Sequence, residues 1–200
     1  MQHTKIAITK EEYDVMTNSD FLLKKVQVIQ KIKFLLLQLQ EELTVSAGKF
    51  QLPVEVLKLH GKISSGENYS GLPYLILDYP RYFDKENVFA FRSMFWWGNY
   101  FLFTLHLQGE FFNRCKENLF NNLKKNQSKN FYINTSGDVW KHHIGDDNLI
   151  PLKEADFNFE KTDFIKIAKR LELERWEEIS SFGNETFLKF MEMSGADKVS

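Results

Sequence analysis

The chain has 200 residues, with 26 lysines and arginines against 27 aspartates and glutamates and a formal net charge of -1. That balance lacks the concentrated positive field that phosphate neutralisation needs, so no nucleic-acid partner is expected. A single cysteine, Cys115, excludes an intramolecular disulfide framework and a cysteine-based zinc cluster.

The length fits one domain spanning 1–200. Aromatic residues make up 15% of the chain, with 19 phenylalanines, so large flat side chains should dominate burial. Arginine is confined to Arg81, Arg92, Arg114, Arg170 and Arg175, which makes its placement more informative than that of the scattered lysines. The opening MQHTKIAITKEEYD has no apolar signal core, and a cytoplasmic location is expected.

In chain order, an N-terminal helical segment is expected over 10–45. It consists of a short helix at 10–17 and a long one capped by Ser19 or Asp20 that runs to about Leu43. The long helix places Leu22, Val26, Ile29, Ile32, Leu36, Leu39 and Leu43 opposite a stripe of Lys24, Gln27, Lys31, Gln38 and Glu42. An antiparallel sheet is expected over 56–141, beginning with a strand from Val56 to Ser64. A loop from Ser64 to Gly71 follows, then a strand bracketed by Pro73 and Pro80.

Residues 88–109, VFAFRSMFWWGNYFLFTLHLQG, carry the strongest hairpin signal, two alternating runs joined at Gly98-Asn99. A two-residue turn there pairs Trp97 with Tyr100, Ser93 with Thr104 and Phe91 with His106. One face then carries Phe89, Phe91, Ser93, Phe95, Trp97, Tyr100, Leu102, Thr104 and His106, and Arg92 falls on the opposite, apolar face. Arg92, His106 and the central Gly-Asn turn argue against a membrane span, and no membrane partner is expected.

A helix at 110–126 is inserted next, then a short hairpin from Phe131 to Lys141, a loop over 142–160, and C-terminal helices at 161–193. The fold class is therefore α+β, an antiparallel meander of about four to six strands against the long N-terminal helix and the C-terminal helices.

Two constellations could carry chemistry. Asp78, Arg81, Arg92 and His106, with Trp97 and Tyr100 nearby, combine a carboxylate, guanidiniums and an imidazole among aromatic walls, a set suited to a small anion. His142, His143, Asp146 and Asp147 offer metal-compatible donors, although adjacent histidines point opposite ways in an extended segment. No cofactor motif is present in the sequence.

Three functional readings stay open. The leading one is a non-enzymatic binding or interaction protein that uses an aromatic sheet surface or pocket around Trp97 and Tyr100, with a protein, a small molecule or a second copy as partner. The second is a small-molecule enzyme with His106 as acid or base and an arginine as anion anchor. The third is a metal-dependent hydrolase built on His142, His143, Asp146 and Asp147.

Overall fold

A computed structural model describes residues 6–126, 129–155 and 162–199. The described residues form an α+β structure around one seven-stranded sheet. Its strands are β1 (Lys62–Tyr69), β2 (Leu72–Phe83), β3 (Val88–Trp96), β4 (Tyr100–Gln108), β5 (Tyr132–Asn134), β6 (Ile150–Pro151) and β7 (Phe164–Glu172). The spatial order is β1-β2-β3-β4-β7-β5-β6, and the recorded pairings are antiparallel.

The helices are α1 (Lys10–Thr17), α2 (Ser19–Ala47), α3 (Val54–Leu57), α4 (Glu110–Lys125) and α5 (Ile179–Ser194). At the start of α1, Thr9 and Glu12 form a reciprocal capping box. The cap of α2 is Asn18, whose side chain accepts from the Phe21 amide, and not Ser19 or Asp20 as the sequence suggested.

Helices α2, α4 and α5 cover one face of the sheet. There Leu39 and Leu43 of α2, Leu119 of α4 and Phe187 of α5 join Phe91, Phe101, Phe103 and Ile167 in a continuous core. Gly183 lets α5 approach closely, because a Cβ there would lie 2.7 Å from Phe103 and 2.9 Å from Leu39. The loop over 135–149 crosses the second face, which has a smaller apolar cluster that includes Met94, Trp96, Leu102 and Leu149.

The hairpin register differs from the sequence expectation by one residue. Trp96 pairs with Tyr100, so the turn has three residues, closed by the Asn99 amide donating to the Trp96 carbonyl, with Gly98 at φ 69°. A one-residue slip exchanges the faces of one strand relative to the other. Phe89, Phe91, Phe95 and Trp97 consequently share the helix-covered face with Phe101, Phe103, Leu105 and Leu107. Arg92 joins Thr104 and His106 on the second face, and Tyr100 is separated from Trp97.

The segment from Phe164 to Leu171, expected as helix, is β7, which pairs with β4 along its whole length. Its first five residues are buried, because both sheet faces are covered. A doubly covered strand loses the alternation that distinguishes it from a helix. Other expectations also fail: Val56 lies in α3, with β1 starting only at Lys62; β1 then runs on to Tyr69 where a loop from Ser64 was expected; and Val139–Lys141 forms no strand. The partner of β5 on that side is β6.

Candidate functional site

The second face of the sheet gathers the ionisable groups of the central strands. Opposite Asp78 on β2 stands Arg92 on β3, and Arg92 in turn faces Thr104 on β4. One row further, Ala90, His106, Lys166 and Asn134 lie side by side on β3, β4, β7 and β5. Cross-strand neighbours in such rows are close enough to interact directly.

Arg92 holds Asp78 through Nε to Oδ1 at 2.7 Å and Nη2 to Oδ2 at 2.8 Å, a bidentate, charge-assisted pair. Its Nη1 lies 2.6 Å from Nε2 of His142, which the covering loop delivers to the sheet. Burial first, then the charges of Arg92 and Lys166, lower the His142 pKa to about 2, so the ring is neutral and accepts from the guanidinium.

Lys166 is 2% exposed. Its Nζ donates to the Lys141 carbonyl at 2.6 Å and to Asn148 Oδ1 at 2.7 Å, and Asn148 Oδ1 also accepts from Asn134 at 2.7 Å. These bonds fasten the loop to β7 and β5. Burial is the largest cause lowering the Lys166 pKa to about 8; Arg92 and Lys141 also lower it, and Asp138 opposes them. Beside it, burial and the charges of Lys166 and Arg92 lower His106 to about 3. Nε2 of His106 is buried with no hydrogen-bond partner among the described residues. Trp140, 55% exposed, places its ring edge-on to His106 and also contacts Phe83.

The structure thus brings together three of the residues expected to form an anion site, Asp78, Arg92 and His106, and adds His142 from the second constellation. It places the others elsewhere. Arg81 follows a register shift in β2 and donates from Nε to the His60 carbonyl. Tyr100 accepts from the Ile144 amide and lies under the Arg170 guanidinium, 4.5 Å from the ring centroid. Trp97 lines an apolar cavity on the opposite, helix-covered face.

The remaining loop residues serve the loop itself. The Tyr69 hydroxyl accepts from the His142 amide and meets His143 Nδ1 at 2.9 Å, while His143 Nε2 lies 2.8 Å from Asp147. Asp147 is also paired with Lys141, and Asp146 lines a separate polar cavity of about 270 Å³. Among the described residues, no three or more His, Cys, Asp or Glu side chains converge as a metal-binding group.

Sequence reasoning missed Lys166, because it was assigned to a helix. The signal was a lysine inside the apolar run Phe164-Ile165-Lys166-Ile167-Ala168, which in a central strand must be buried. No helix among the described residues is long and apolar enough to cross a membrane. No protein-family model, curated protein or solved structure matches the chain.

Proposed function

We propose that the protein is a binding protein for a small oxyanion-bearing ligand, a carboxylate or phosphate, taken up at the Arg92–Lys166–His106 cluster beneath Trp140. The observation that carries this reading is the bonding of Lys166. An ammonium has three N–H donors, two are used by neutral oxygens, and the ring nitrogen beside it, His106 Nε2, is also without a partner. The Asp78 carboxylate is already occupied by Arg92, and Asp138 acts on Lys166 through its charge without a hydrogen bond to it among the described residues. A ligand oxyanion is therefore the natural acceptor for the third Lys166 N–H, joined by His106 when its proton sits on Nε2. A neutral His106 supports binding rather than acid–base catalysis, because a group titrating near pH 3 is poorly matched to proton transfer at neutrality.

Calorimetric titration with acetate and with phosphate, at constant ionic strength against chloride, tests this reading. Saturable binding that Lys166→Met abolishes supports it. Equal heats for all three anions, or an unchanged response in Lys166→Met, overturns it.

One observation favours a second reading. With a pKa of about 8, Lys166 is partly a neutral amine, whose two N–H groups match its two acceptors and leave the lone pair free. Attack on a ligand carbonyl would form an imine and release water. Borohydride trapping of a carbonyl acid, read by peptide mass spectrometry at Lys166, supports this reading if the adduct forms and removes it if none does.

A further inference from the structure

We propose that the apolar cavity on the helix-covered face, independent of the polar cluster, binds a small carboxylic acid with an apolar body. The cavity measures about 360 Å³ and lies where the β3–β4 turn meets α2 and the 3-10 turns of Leu173–Glu178. Its walls include Val28, Phe95, Trp97, Leu173 and Trp176, with Lys31 of α2 also in the lining. Small-molecule sites typically combine such a concave apolar wall with a few oriented polar groups.

Two polar groups in this wall lack partners among the described residues. The indole nitrogen of Trp97 is buried without an acceptor. Lys31, on the exposed side of α2, forms no ion pair. A buried N–H donor without an acceptor is costly, and a ligand that brings an oxygen relieves that cost. One carboxylate supplies the counter-charge for the ammonium and, once the Trp97 ring turns its buried N–H toward the cavity, the acceptor for the indole.

A neighbouring groove of about 560 Å³ shares Lys31 and Trp176 and continues past Phe34. An extended alkyl chain can therefore run from the cavity along α2, with its head at Lys31 and Trp97. Trp97 and Trp176 place two fluorophores in the wall, so occupancy is directly observable.

The test is tryptophan fluorescence and calorimetry with decanoate, compared with decyltrimethylammonium, both below their micellar concentrations. Saturable decanoate binding is expected, with the cationic amphiphile weaker by about tenfold or more, the worth of a single favourable polar contact. Lys31→Gln, at an exposed position, and Trp97→Phe, which keeps an aromatic ring but lacks the N–H, should each weaken decanoate by several fold in protein with an unchanged circular dichroism spectrum. Lys166→Met, which removes the oxyanion site proposed above, should leave decanoate binding intact.

Three results would overturn the inference. These are no decanoate binding, equal affinity for both amphiphiles, or unchanged affinity in Lys31→Gln. A dimer in sedimentation analysis that closes the cavity and takes up no decanoate would likewise assign this face to a second copy of the chain.

Discussion

Arg92 and Asp78 face each other across β3 and β2 and are joined by two hydrogen bonds of 2.7 and 2.8 Å, with 16% and 10% of their side chains exposed. The pair lies on a sheet face that also carries Met94, Trp96 and Leu102. It is the fixed point around which His142, His106 and Lys166 are arranged.

Removing one member of this pair should be far worse than removing both. Arg92→Met leaves the Asp78 carboxylate buried alone and should lower stability by about 3–5 kcal/mol in urea denaturation. The double variant Asp78→Leu, Arg92→Met should recover much of that loss. Equal destabilisation in the single and double variants would show that neither charge is strongly desolvated.

Acid should weaken the fold through the buried imidazoles. His106 and His142 have folded pKa values of about 3 and about 2, below the ordinary 6.5. Below pH 6.5 the unfolded chain therefore binds protons that the folded chain refuses, and stability falls as pH drops toward 3. Each site contributes up to about 1.4 kcal/mol per pH unit across that window. The slope of unfolding free energy between pH 6.5 and 4 should flatten in His106→Gln; an unchanged slope would place the linkage elsewhere.

Lys166 extends the same linkage, with the same sign, to alkaline pH. Its folded pKa, about 8, is below the ordinary 10.5, so the folded chain releases this proton before the unfolded chain does. Stability assigned to this group rises from pH 8 to 10.5 and is absent below pH 8. Subtracting the Lys166→Met profile from the wild-type profile isolates the contribution, and a flat difference would refute it.

The loop over 141–149 should loosen when its anchor is removed. Lys166→Met deprives the Lys141 carbonyl and Asn148 of their shared donor. Amide hydrogen exchange should accelerate in that loop while the amides of β3 and β4 keep their protection. Uniform acceleration would indicate global destabilisation instead.

Gly183→Ala should destabilise despite the better helix propensity of alanine. The new methyl would meet Phe103 at 2.7 Å and Leu39 at 2.9 Å. Overpacking of this kind costs about 1–3 kcal/mol, against a gain of about 1 kcal/mol from replacing a helical glycine. A lower melting temperature is expected; a higher one would mean that α5 moves away easily.

The sequence by itself determined the local elements whose signals are complete within a few residues. Thr9 and Glu12 mark the start of α1, and Gly98 marks the turn of the central hairpin. The α+β class and the long helix under the sheet follow from those signals together with the apolar stripe of α2. Tertiary structure decided what depended on distant partners. A single extra turn residue, Trp97, moved Arg92 onto the face of His106, and the local pattern did not distinguish the two registers because both strands are buried on both sides. Burial on two faces erased the strand period of β7 and hid Lys166. His142 reaches Arg92 only because the loop folds back across the sheet, a contact between residues 50 positions apart that no local pattern encodes.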